Sequence, residues 1–280
     1  MTISAPTAPV ARRKRGTGAV RPVIDASLSR RKYISIAVTG FIVLVAVWTA
    51  ITVSELVNPL FLPSPIAVVQ KVGEQAVNGE LWSDIGVSTY RVMVGFLAST
   101  VLAVPIGVLC GSIARVEAAV EPIIDFVRYM PVVAFVPLTI LWVGTDHTQK
   151  FLIIFLGTFF QQVLLFADAV RRVPVTYRNL GATLGLSRGQ ILIRIVFPAA
   201  LPRIWDALRI SLGWAWTWLV VAELVAATSG IGYRITQAQR FLETDLIIGY
   251  VIVLGLLGLV FDQIMRALGR RFFRYLKGRS

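Results

Sequence analysis

Ionisable and aromatic side chains set inside apolar runs are the positions in this sequence that could do chemistry. Glu223 follows Trp214, Trp216 and Trp218 in one long apolar run, and Arg91 and Arg128 lie in two others. A charge at the centre of a hydrocarbon layer costs about 2.5–3.5 kcal/mol on insertion scales, so such residues line a pathway or pair with one another. Glu223 therefore has two readings, a pathway or gate residue and a structural partner of Arg91 or Arg128. Arg128 precedes Tyr129-Met130-Pro131, and Pro131 and Pro137 interrupt helical hydrogen bonding. Irregular backbone at that depth is tolerated only against protein or a water-filled cavity, which makes Arg128, Tyr129 and Pro131 pathway candidates together with Trp214 and Glu223. The two-residue spacing of the tryptophans spreads them around a helix, which favours interface anchoring or packing over a cage for a ligand. Gln161 and Gln162 are read as inter-helix hydrogen bonds rather than ligands. His147 beside Asp146 makes neither a metal site nor a catalytic pair, and the lone Cys110 makes no disulfide framework. A membrane enzyme would need convergent His, Asp, Glu or Cys groups at one depth, and that constellation is missing.

The elements that must position these residues are membrane helices. The chain of 280 residues is 56% hydrophobic and only 15% charged, against about 25% in soluble proteins. A hydrocarbon core roughly 30 Å thick takes about 20 apolar residues per helix, and a spanning segment must satisfy its own backbone hydrogen bonds. Six spans can be drawn: 34–56, 85–111, 118–143, 151–170, 198–227 and 246–268. The expected organisation is a disordered basic tail (1–33), a transmembrane domain (34–270) and a basic C-terminal end (271–280).

Charge orients these spans. The net charge of +13 is distributed as membrane topology requires, so no nucleic-acid partner is expected. With the N-terminus inside, 22 of the 28 Lys and Arg residues fall in inside segments, and Lys71, Lys150, Arg234 and Arg240 fall outside. Both termini are thus expected in the cytoplasm. Ser29-Arg30-Arg31-Lys32-Tyr33-Ile34 has some likeness to a twin-arginine export signal. The apolar stretch after it is longer than a signal core and lacks a small-x-small cleavage site, so it reads as the flank of the first span. The outside loop 58–84 opens with Pro59 and Pro63-Ser64-Pro65 and becomes amphipathic from Ile66 to Ala76, which predicts a short surface helix.

The inside loop between the fourth and fifth spans, 171–197, is neither apolar enough to cross nor polar enough to be a mere linker. Residues 179–185 can make about two helical turns. Gly181 and Gly185 lie four apart on one face, with Leu180 and Leu184 as an adjacent apolar ridge. Gly185 can stop this helix and Ser187 can cap the next, while Pro198 suits the first turn of the fifth span. Asn179, Leu180, Gly181, Leu184, Gly185 and Ser187 together can dock into a groove on a partner; the alternative is an ordinary interfacial loop.

This loop resembles the coupling-helix signature of bacterial ABC importer permeases, in which Glu-Ala-Ala, three residues, Gly, a spacer and an apolar-Pro pair follow one another. Leu62-Pro63-Ser64-Pro65, the stretch from Arg128 to Pro137, Leu141-Trp142-Val143-Gly144 and Val221-Ala222-Glu223-Leu224 look like segments of the taurine, aliphatic-sulfonate and nitrate branch. The resemblance covers roughly residues 45–270 and rests on the combined order of these motifs. It implies a type I importer permease fold, all-α with six transmembrane helices and a cytoplasmic coupling helix between the fourth and fifth. It also implies three partners: a cytoplasmic ABC ATPase dimer carrying the ATP and Mg, an extracytoplasmic solute-binding protein, and a second permease copy. The absence of a Gly-x-x-x-x-Gly-Lys-Ser/Thr phosphate loop agrees with energy supplied by a separate chain. Gly185 and Pro198 match the family pattern; Asn179 stands where it has Glu, and Leu180-Gly181 where it has Ala-Ala. Tyr129 stands where it more often has Pro. The implied function is import of a small anionic solute, taurine or an aliphatic sulfonate first. Nitrate, bicarbonate or a thiamine-precursor pyrimidine are alternatives in the same class. An ion-coupled secondary carrier ranks lower, because it expects paired intramembrane acids and repeated halves. Gly185→Trp is expected to leave the chain inserted but uncoupled from the ATPase.

Overall fold

A computed structural model describes residues 29–274, and every regular element among them is helical. The expected tail 1–33 falls largely on residues 1–28, outside the described residues, as do 275–280 of the C-terminal end. The first helix is α1 (Arg30–Val53), and its described residues up to Trp48 form a unit of their own.

The second unit holds the remaining helices. Ser64 accepts a hydrogen bond from the Ala67 amide at 3.2 Å and Pro65 sits in the first turn, so α2 (Pro65–Val77) starts where the amphipathic pattern predicts. Then come α3 (Glu80–Cys110), α4 (Ala114–Arg128), α5 (Val136–Val143) and α6 (His147–Arg171). The expected third span, 118–143, is not one straight helix. At Pro131 the chain leaves α4, makes a short 3-10 turn (Val132–Phe135) and enters α5 at 85° to α4. The prolines withhold the amide hydrogens that would have continued the helix.

Beyond α6 lie α7 (Val175–Thr183), α8 (Arg188–Ile191), α9 (Phe197–Ala226), α10 (Ile231–Arg240) and α11 (Thr244–Phe272). Helices α1, α3, α6 and α11 are long and apolar enough to cross a membrane, and the bent α4–α5 pair counts as a fifth crossing if it is one span. Helix α9 has 30 residues, but Arg203, Asp206 and Arg209 in its first half lower its hydropathy. Pro198 sits in the first turn of α9, as expected, although α8 runs into α9 without a gap through a π segment, Leu192–Val196, in which the Phe197 amide donates to the Leu192 carbonyl. The wider turn makes room for a proline ring that would otherwise strike the carbonyl four residues back.

The centre of this unit is the α3–α6–α9 contact. A Cβ added at Gly107 would lie 2.7 Å from the Phe166 Cβ, and one at Gly111 2.5 Å from the Ala167 carbonyl oxygen. Small residues thus let the α3 and α6 backbones meet, the mode by which membrane helices gain dispersion contacts without a hydrophobic drive. Gln162 crosses this contact, accepting from Ser99 Oγ at 3.0 Å and donating to Thr100 Oγ1 at 3.2 Å and Ser211 Oγ at 3.3 Å. The inter-helix bonding expected of the glutamine pair is therefore made by Gln162.

Candidate functional site

The loop 171–197 is built of two capped helices. Helix α7 ends in a Schellman motif: the Leu186 amide donates to the Gly181 carbonyl at 3.1 Å and the Gly185 amide to the Ala182 carbonyl at 3.0 Å. Gly185 sits at φ +72, the left-handed conformation this cap needs. Ser187 then opens α8 with a capping box, in which Ser187 Oγ accepts from the Gln190 amide and Gln190 Oε1 from the Ser187 amide. The stop and the cap fall where the sequence places them. The shared bare glycine face does not exist. Gly181 is buried inside the loop, where an added Cβ would lie 2.8 Å from Ile195 Cδ1 and 2.9 Å from Ile191 Cγ1, and Gly185 lies beyond the helix end. What remains outward is an apolar ridge of Val175, Leu180 and Leu184, the last two 57% and 68% exposed, with Asn179 also exposed. Gly181 is the residue that lets α7 fold back on the π segment and present that ridge.

The break between α4 and α5 opens a cavity of about 530 Å3. Arg128, Tyr129, Pro131, Gln161, Trp142 and Trp218 contribute to its walls. Arg128 Nε pairs with Asp125 at 3.0 Å and its Nη2 donates to Tyr129 Oη at 3.1 Å, so the guanidinium is held at the cavity but half-exposed. Three of the five pathway candidates meet here. Trp214 does not line the cavity; Trp218, one turn on, does, and its ring lies where a Cβ on Gly157 would be only 2.3 Å away. Trp216 faces the core beside Phe261, so Trp216 and Trp218 point to different faces of α9, as the two-residue spacing predicts.

Glu223 belongs elsewhere. It is 1% exposed and accepts from Arg91 Nη1 at 2.6 Å, Ser88 Oγ at 2.9 Å and the Gly232 amide at 2.8 Å. Of its two readings the structure selects pairing, and the partner is Arg91. The reason is charge neutralisation: both ions are removed from solvent, and each nitrogen of the guanidinium and each oxygen of the carboxylate is hydrogen-bonded. Arg91 also donates to the Ser229 carbonyl at 2.7 Å and from Nε to His147 Nδ1 at 3.2 Å. Asp84 beside this pair accepts from the Gly230 amide, Arg234 Nε and Tyr250 Oη, at 3.0–3.1 Å. The cluster ties α3, α6, α9, α10 and α11 at one end of the bundle. Asp84, Ser88 and Arg91 are spaced i, i+4, i+7 on one face of α3; Asp84 and Ser88 are the members that sequence reasoning missed, and that spacing to Arg91 was the available signal.

Long apolar helices, one of them broken beside a cavity, with a capped, ridge-bearing loop between two of them, make up the architecture of an all-helical membrane protein. A family model described as "Binding-protein-dependent transport system inner membrane component" matches residues 103–274, and the chain belongs to that family. It is 34% identical over 249 residues to the taurine transport system permease protein TauC of Escherichia coli, covering 87% of this chain and 90% of that protein. The putative aliphatic sulfonates transport permease protein SsuC of Bacillus subtilis is 34% identical over 233 residues, covering 83% and 84% of the two chains. The nitrate import permease protein NrtB of Synechocystis is 31% identical over 230 residues, covering 79% and 82%. Among solved structures, an inward-facing MetNI methionine ABC transporter matches with a TM-score of 0.59 at 20% identity, covering 69% of this chain and 98% of that one. That likeness establishes the type I ABC importer permease fold. The chain is a multi-pass inner-membrane transport subunit, not an enzyme, and its family works with an ATPase and a substrate-binding protein.

Proposed function

We propose that this chain forms the membrane pathway of an importer for a small organosulfonate, taurine or an alkanesulfonate, with ATP and Mg bound on the partner ATPase rather than here. The observation that carries the substrate class is the Arg128 cavity: a guanidinium with an aromatic hydroxyl and two indoles suits a compact anion carrying an apolar stem. The names of the sulfonate relatives point the same way. Both termini face the cytoplasm, on the asymmetry of basic residues, which puts α7 and α8 on the ATPase side and the Glu223 cluster on the side of the binding protein. Two copies of the chain enclose the pathway. The exposed ridge of Leu180 and Leu184 seats in the ATPase groove, with Asn179 making a hydrogen bond where a charged contact is usual in the family. Closure of the ATPase dimer then shifts the permease between two packings.

The test is uptake of labelled taurine, an alkanesulfonate, nitrate and bicarbonate by cells with and without the chain. Selective, ATP-dependent loss of sulfonate uptake is expected. Loss of nitrate or bicarbonate uptake instead would assign the cavity to an inorganic anion.

A further inference from the structure

A second cavity, of about 640 Å3, lies between the α3–α4 turn and the docking loop. Three arginines from three elements line it: Arg115 from the first turn of α4, Arg178 from α7 and Arg188 from α8. None of them has a carboxylate within 4.0 Å among the described residues; the nearby Glu117 and Glu121 are both taken by Arg171. Two buried polar atoms in the same walls, Ser112 Oγ and Arg178 Nε, have no hydrogen-bond partner. Arg178 is held in place through Nη2, which donates to the Val170 carbonyl at 3.3 Å. The N-terminus of α4, whose N-cap Ile113 and first residue Ala114 also line the cavity, carries no side-chain cap. Three cations, an orphaned hydroxyl, an orphaned guanidinium N–H and the positive end of a 15-residue helix therefore converge on one space.

We propose that this cavity is a binding site for a phosphate group, carried by an anionic phospholipid headgroup or by free phosphate. Phosphate fits because its oxygens can accept from several guanidinium forks and from Ser112 at once, satisfying donors that are costly to leave buried without a partner. A carboxylate, with two oxygens, would leave some of them unmet. The walls join α7 and α8 to the α3–α4 turn, so an occupant would brace the docking loop against the bundle. Basic pockets at the cytoplasmic ends of membrane helices are suited to such headgroups.

The site can be read without transport. The full chain, purified with its ATPase in neutral detergent, would be titrated with phosphatidylglycerol, with phosphatidylcholine as the neutral control, and separately with radiolabelled inorganic phosphate. The exposed pair Arg115→Gln and Arg188→Gln is the test variant; Arg270→Gln, on α11, is the control. Retention of phosphatidylglycerol that falls about tenfold in the double variant and is unchanged in the control supports the lipid source. Saturable phosphate binding with the same dependence, and no lipid preference, supports the soluble source. Equal lipid and phosphate binding by parent and double variant, at equal melting temperature, overturns the site. So would loss of ATPase co-purification with no change in either ligand, which would make the cavity part of the protein contact.

Discussion

The buried pair of Arg91 and Glu223 shows how one charge in an apolar run becomes affordable. Each ion meets the other at 2.6 Å, and the pair is further hydrogen-bonded by Ser88, the Gly232 amide, Ser229 and His147. Removing one partner leaves the other uncompensated, which costs about 3–5 kcal/mol in buried pairs. Glu223→Gln is therefore expected to lower the melting temperature of the detergent-purified chain, while Arg91→Leu combined with Glu223→Leu should recover part of the loss. A double variant as unstable as the single one would mean that the neighbours, not the pair, set the cost. Gly230 is fixed by the same cluster: at φ +101 an added Cβ would lie 2.5 Å from Glu223 Oε1, so Gly230→Ala should destabilise as well. Arg128 is the contrasting residue, ion-paired but half-exposed at a cavity. Arg128→Gln should cut uptake without loss of assembly, and unchanged uptake kinetics would remove its role in the pathway.

At the scale of the element, the loop 171–197 is held by its helix ends. Helix α7 has nine residues, too short to be stable alone, and it is held by its Schellman cap and by Gly181 against Ile191 and Ile195. Gly185→Trp would thus act partly through backbone strain in the left-handed position, at about 1–2 kcal/mol, and not by blocking a groove alone. Leu184→Glu is the cleaner test, because it changes an exposed ridge residue and no cap bond. We expect normal insertion with substrate-stimulated ATPase activity reduced about tenfold, an interface anchor being worth that much. Full stimulation at equal expression would exclude the ridge from docking. These element ends were legible in the sequence because glycine and serine act through their own backbone and side chain. The burial of Gly181 was not, because it depends on the π segment folding back over α7.

For the whole molecule, the composition and the runs of apolar residues were enough to specify a membrane protein of several helices. Length and backbone hydrogen bonding leave few other solutions, and each helix satisfies its bonds locally. The capping signals were equally local, whereas packing decided that Gln162 makes the inter-helix bonds while Gln161 walls the cavity. Tertiary structure alone decided that Arg91, not Arg128, partners Glu223, that Trp218 rather than Trp214 walls the cavity, and that the third span is bent by 85°. It also brought Arg115, Arg178 and Arg188 from three separate elements to one space. Sequence spacing governs which residues share a helix face, but pairing across helices depends on where two backbones approach. Here small residues such as Gly107 and Gly111 set that approach between α3 and α6, far along the chain from one another.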